Sequence, residues 1–395
     1  MRKLISLLLG VCLLAQQGEF IGVYPWEKEQ LEWAKKFRIV ELGSFADIAD
    51  IDTSAYRVPL AYEWLVGFYK QSATSFDRWV VERGLLLLPK SPKIESEDDY
   101  YYDICSEELQ HKRAEYLYNN CKKLGLKGLF FDWANEEFLK DPAFTQLAKT
   151  LSKRYPKMSY KECIARFFDK LRQKGLVVVA NQAYRNPLLL DHIDYDLSES
   201  LITTATTLPK RTTLNSEKVD EVPATDYFPV DGSIEGTFEN LRYIHDLLYR
   251  HKAKGIFHIN YAAPKLRPTR SGYKSAPPKE VIHYNFAFAK LFDAWTYTEV
   301  PFDRNLEKDG IYFVDLGRAK EEIRKFQGGY LRAYEKGFAV VCDRDLVLTL
   351  PQRVFDTFSK RWVGPGNYKI EQSYDTITKS YIPIGRIFLY DQALH

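Results

Sequence analysis

The sequence has no Cys-x-x-Cys pair, no His-x-x-x-His or His-x-His spacing, and, after its first residues, no apolar run of membrane-spanning length. The first two absences argue against a structural zinc, a dithiol redox pair and a metal-assisted hydrolase, although His258 falls in an apolar run near Asn260. The third argues against a spanning helix, which needs roughly 20 apolar residues. One-sided charge is missing too. Lys+Arg number 56 against 53 Asp+Glu, a formal +3, which does not mark nucleic acid as the partner. No long low-complexity linker interrupts the chain. Aromatic residues are abundant, with 27 Tyr, 24 Phe and 7 Trp among 395 residues. Their faces fill cores, and they also stack on sugars or bases. A 45% apolar content is enough for a large core, and the length allows two or three domains or one large barrel with an appendage.

At the N-terminus Arg2 and Lys3 precede an apolar run over residues 4–15, followed by Gln16, Gln17 and Gly18. A charged start and a run of about 12 apolar residues read as a signal peptide over 1–18, hence a secreted or periplasmic protein, an uncleaved or lipid anchor being the alternative. Cys105, Cys121, Cys163 and Cys342 then remain. Four cysteines allow three pairings, and the sequence chooses neither among these nor between disulfides and buried free thiols.

From about residue 37 short apolar runs alternate with helical patterns. Ser159 and Glu162 form a capping box, followed by the stripe Ile164, Phe167, Phe168, Leu171 and a stop at Gly175. Ser106 caps a second helix with an acidic first turn, the stripe Ala114, Leu117, Tyr118, Cys121 and the ending Lys122, Lys123, Gly125. Such alternation predicts a parallel sheet covered by helices. The strand candidates are 38–42, 58–62, 85–88, 128–132, 176–181, 195–199, 255–260 and 294–298, and eight strands close a (β/α)8 TIM barrel, here over 19–304. Beyond Arg304 the pattern predicts a helical piece at 319–326 and then strands at 330–334, 338–342, 346–350 and 382–389, a small C-terminal β-sandwich-like domain over 305–395 packed against the barrel.

In such a barrel the reacting groups sit where strands end. The fourth run ends in Asp132-Trp133, with Asn135 behind it, and the sixth in Glu199. A carboxylate at an inner strand end is costly to desolvate unless used or paired. The bland alternative for Asp132 is a helix cap. Asp196, three residues before Glu199, points to the opposite face, so only one of the two serves the mouth. Two carboxylates on nearby strands suit glycosidic bond cleavage, one protonating the leaving oxygen, the other attacking or activating water. Tyr62 and Glu63, Asn181 with Tyr184, Asn260 with Tyr261, and Trp295 supply amides, a carboxylate and aromatic faces for sugar binding. Three long connections, 91–103, 202–230 and 261–278, lie on the same predicted face, and a loop as long as 202–230 is more often a lid than filler.

The segments Gly128-Leu-Phe-Phe-Asp132-Trp133, Val177 to Asn181 and Asp196-Leu-Ser-Glu199-Ser200 resemble the barrel glycoside hydrolases related to the endo-α-1,4-polygalactosaminidases and their bacterial glycosidase-like relatives. The likeness runs over roughly 37–341 and implies that Asp132 and Glu199 are the catalytic pair, acting on a polysaccharide without a metal or organic cofactor. Trp133-Ala134-Asn135 follows Asp132 where the fungal enzymes have Asp-Asn, so galactosamine polymers are not implied. Reach and reference pKa favour Glu199 as proton donor and Asp132 as nucleophile or base. A carbohydrate-binding or cell-envelope protein that kept the barrel without the chemistry is the competing reading.

Overall fold

A computed structural model describes residues 18–22, 28–88, 99–214, 217–259, 267–269, 272–274, 278–298, 309–375 and 380–391. Eight parallel strands, each hydrogen-bonded to the next, form the barrel: β1 Gly18–Gly22, β2 Phe37–Glu41, β3 Val58–Trp64, β4 Gly128–Asp132, β5 Val177–Asn181, β6 Tyr195–Glu199, β7 Lys254–Ile259 and β8 Trp295–Thr298. β8 returns beside β1, so the sheet closes on itself.

Two strand assignments are corrected. The first stave is Gly18–Gly22, which pairs with β2 from Gly18 to Gly22 and begins at the last residue of the expected leader. Its two glycines and Glu19 hide the apolar pattern. The leucine run at 85–88 forms only a single bridge, Leu86 to Tyr102, outside the barrel, and Leu86 packs with Phe68, Phe76, Val80 and Leu109. The two errors offset, so Asp132 and Glu199 still close the fourth and sixth staves, while Tyr62 belongs to the third.

The capped helices form as expected. Ser106 accepts from the Leu109 N–H ahead of α1, Glu107–Lys123, and Ser159 and Glu162 exchange hydrogen bonds at the start of α2, Tyr160–Gln173. Their stripes face the barrel, Phe131 of β4 meeting the rings of Phe167 and Phe168. A disulfide joins Cys105, just before α1, to Cys163 on α2; Cys121 and Cys342 are buried free thiols, so a single bond forms and none of the three two-bond pairings is complete.

The stretch expected as the loop 202–230 is an antiparallel hairpin, Thr204–Leu214 with Glu217–Asp226. Its threonines and valines are strand formers, which explains the departure from a loop. In 261–278 only the short pair Arg267–Thr269 and Gly272–Lys274, and Pro278 at the start of the next helix, are described. Of 91–103, the residues before 99 are outside the described residues.

The C-terminal part is a six-stranded antiparallel sheet in which Gly329–Ala333, Gly337–Cys342 and Ile384–Tyr390 lie side by side, and a pair, Leu346–Leu350 with Gly366–Ile370, closes over it on a core of Leu346, Leu348, Val340 and Phe388. The helical piece expected at 319–326 does not form. Arg324–Phe326 is a strand, turned into Gly329–Ala333 through Gln327 and Gly328, both at positive φ. One isoleucine among five charged residues gives a helix little to bury, whereas the hairpin completes a sheet edge. This sheet packs on α3, Lys279–Leu291, so closely that a side chain at Gly385 would collide with the backbone of Tyr284. Phe238 stacks on Tyr330 at 3.7 Å, and one continuous core includes barrel residues together with Tyr330, Tyr334, Val341 and Ile387. The expected boundary at 304/305 lies outside the described residues, as do residues 1–17 of the segment 1–18 read as a leader.

Candidate active site

Each of β4, β5 and β6 is followed at once by a non-glycine residue in left-handed backbone: Trp133 at φ +55°, Gln182 at +54° and Ser200 at +59°. That conformation costs of order 1 kcal/mol or more for such residues and persists where the surroundings fix it, often at functional sites. Here it ends three neighbouring staves at one level. Their last residues, Asp132, Asn181 and Glu199, meet in the mouth of the barrel.

The Asn181 Nδ2 group donates to Asp132 Oδ1 at 2.8 Å and to Glu199 Oε1 at 3.1 Å. Those two legs bound the separation of the carboxylate oxygens at about 6 Å. Both donations fix the amide's orientation, and they leave Asn181 Oδ1 buried without a partner. Asp132 also accepts from the Tyr62 hydroxyl at 2.8 Å on Oδ2 and from the Trp133 N–H at 2.8 Å on Oδ1. Burial, and after it the Asp132 charge, push the Tyr62 phenol well above its usual range, so it stays protonated and donating. Asp132 caps no helix. The next helical turn, Glu137–Lys140, starts from Glu136.

Asp196 faces away from the mouth, as the two-residue alternation requires. It is fully buried, accepts the Tyr184 N–H at 2.9 Å and the Ser198 hydroxyl, and burial raises it to about 6 against those hydrogen bonds.

The remaining sequence candidates divide. Trp133 is half-buried, its ring edge-on to Trp64 at 5.9 Å and packed with Phe138 and Phe144 at the end of β4. Asn135 lies just beyond and is engaged locally, accepting the Glu137 N–H at 2.9 Å. Tyr184 sits in the turn after β5, its ring under the Arg185 guanidinium. Asn260 and Tyr261 lie outside the described residues. The backbone register places His258 opposite Glu199.

Two candidates are not in the mouth. Glu63 alternates with Tyr62 and points out toward α1, where it pairs with the buried Arg113 at 3.4 Å; burial, opposed by Arg113, brings it to about 7. Trp295 is the first residue of β8, beside Tyr195 at 5.3 Å and under Lys254, at the opposite end of the barrel. In a parallel barrel the start of a stave is a full strand length from the mouth.

The sequence reading missed Glu41 and Tyr69, the ring that stacks on Trp64. Glu41 is the last residue of β2, in register with Leu60 and on the same face as Tyr62. A one-residue error in the strand, 38–42 for 37–41, put Leu42 at the end instead, and the strand-end rule applied to the right boundary would have found it. Trp64 ends β3, and Tyr69 stacks on it at 4.9 Å while remaining 39% exposed. Tyr69 belongs to a three-residue strand paired with Asp99–Tyr101, a long-range pairing with no local signal.

No protein-family model matches the chain, and no curated protein does. Solved structures do. A noncanonic maltogenic α-amylase, AmyB, from Thermotoga neapolitana is 11% identical, with 94% of this chain and 99% of that chain covered at a TM-score of 0.52. A Nostoc punctiforme debranching enzyme is 8% identical, with 95% and 99% covered at 0.51. The glycoside hydrolase domain of PelA from Pseudomonas aeruginosa is 16% identical, with 72% and 94% covered at 0.43. The first two share the fold of this chain, a (β/α)8 barrel followed by a β-rich C-terminal part.

Proposed function

We propose that this protein is a glycoside hydrolase in which Asp132 and Glu199 cleave a polysaccharide or oligosaccharide. The observation that carries the reading is the single Asn181 amide bridging two carboxylates at the ends of β4 and β6. Their spacing supports a retaining course, for which carboxyl groups about 5 to 5.5 Å apart are usual, over an inverting one, which needs room for a water between them.

In that course Asp132, held in one orientation by three donors, attacks the anomeric carbon, while Glu199 gives its proton to the departing glycosidic oxygen. A glycosyl ester on Asp132 results. Glu199, now charged, takes a proton from a water whose oxygen attacks the same carbon, the ester bond breaks and both carboxyl groups return to their starting states. Trp133, Tyr69 and Trp64 offer ring faces and edges beside Asp132 for a sugar. The Cys105–Cys163 bond supports an oxidising, secreted or periplasmic location. No described helix is long and apolar enough to cross a membrane.

The test is reducing-end release from soluble starch, pullulan and de-N-acetylated galactosaminan. Asp132→Asn and Glu199→Gln each lower the rate at least about a thousandfold with the circular dichroism unchanged. Proton NMR of the first product shows the retained anomer. Full activity in either variant ends the two-carboxylate reading, and sugar binding without product in the wild type moves the chain to the binding-protein class.

A further inference from the structure

Glu41 stands at the inner end of β2, and the stave beside it contributes only Gly22 at that level. The chain turns at Gly43, φ +97°, so that the Gly43 N–H comes back to Glu41 Oε1 at 2.6 Å. Among the described residues the titratable groups facing it are Asp47, on the short helix that follows, and Tyr62 on β3, and neither is a cation. Among the described residues no lysine, arginine or histidine pairs with it. A carboxyl group surrounded by protein without a cation is held more cheaply as the neutral acid. Burial, opposed by the Gly43 hydrogen bond and reinforced by Asp47, raises Glu41 to about 8. With Oε1 accepting, the acid proton belongs on Oε2, which has no partner among the described residues, so one donor is left uncommitted on the stave face that Glu41 shares with Tyr62.

We propose that Glu41 is a third, substrate-contacting carboxyl group of this site, donating a hydrogen bond from its acid proton to a hydroxyl oxygen of the sugar held across Asp132 and Glu199. The inference rests on the glycosidase reading above. Glu41 ionises as the pH rises through about 8, and the donor is then lost and a negative charge takes its place.

The experiment measures kcat and KM from pH 5 to 9.5 for wild type, Glu41→Gln and Glu41→Ala, on whichever of starch, pullulan and de-N-acetylated galactosaminan the wild type cleaves fastest. Wild-type KM rises above pH 8. Glu41→Ala raises KM roughly tenfold at pH 7 with kcat within about threefold. Glu41→Gln, which keeps an N–H donor but cannot ionise, raises KM two- to threefold, roughly, and removes the alkaline rise. If Glu41→Ala does not fold, the Glu41→Gln profile decides alone. A wild-type alkaline rise that persists in Glu41→Gln, or a KM unchanged in the folded variants, overturns the role of Glu41 while inactive Asp132→Asn and Glu199→Gln leave the catalytic pair standing. No cleavage of any of the three polysaccharides by the wild type removes both readings.

Discussion

Replacing Asn181 by alanine removes the one group that touches both carboxylates. Asn181 is 7% exposed, so water does not readily take its place. Its hydrogen bonds of 2.8 and 3.1 Å go to carboxylates, and a bond to a charged group is worth about 1.5 to 3 kcal/mol. The loss of one such contribution in the transition state lowers kcat/KM roughly 10- to 150-fold. The removal also leaves the two carboxyl groups facing each other within about 6 Å with no donor between them. Reducing-end release at pH 7 measures the loss, with circular dichroism as the control for folding. A rate within twofold of wild type would refute the idea that the amide couples the two acids.

Two further outcomes concern the frame around the site. Arg113 is buried and donates to the carbonyls of Leu65 and, at 2.8 Å, Trp64, and it pairs with Glu63. Arg113→Met orphans all three and costs about 3 to 5 kcal/mol in urea unfolding; a loss below 1 kcal/mol shows that the strand end does not depend on it. Asp309 joins α3 to the β-domain through His283 at 2.9 Å, Lys279 at 3.0 Å and Lys360 at 3.6 Å. Burial alone would raise it, but the His283 hydrogen bond and these charges hold it near 2 against an ordinary 3.8. A lowered acid contributes stability that is full above pH 4 and is lost as the pH falls through about 2, an amount of about 2 kcal/mol. Asp309→Asn removes that part of the acid slope, and identical slopes in urea titrations at pH 2 to 5 exclude the assignment.

The helices were legible because their signals are local: Ser159 and Glu162 lie three residues apart and Gly175 ends the apolar stripe within the same segment. Asp132 and Glu199 were legible for a similar reason, each closing an apolar run. β1 was not, because Gly18, Glu19 and Gly22 carry no apolar period and the stave is stabilised by its neighbours.

The chain by itself determined the alternation of strands and helices, the capped ends and the positions of the two acids, all of which follow from side-chain period and from residues a few places apart. Only the closed barrel decided that Asn181 would reach both carboxylates, that Glu63 would turn to Arg113 while Tyr62 turned to Asp132, that Trp295 would lie at the far end, and that Cys105 would meet Cys163. These depend on which residues share a level and a face once distant staves are in register, and no local pattern encodes that distance.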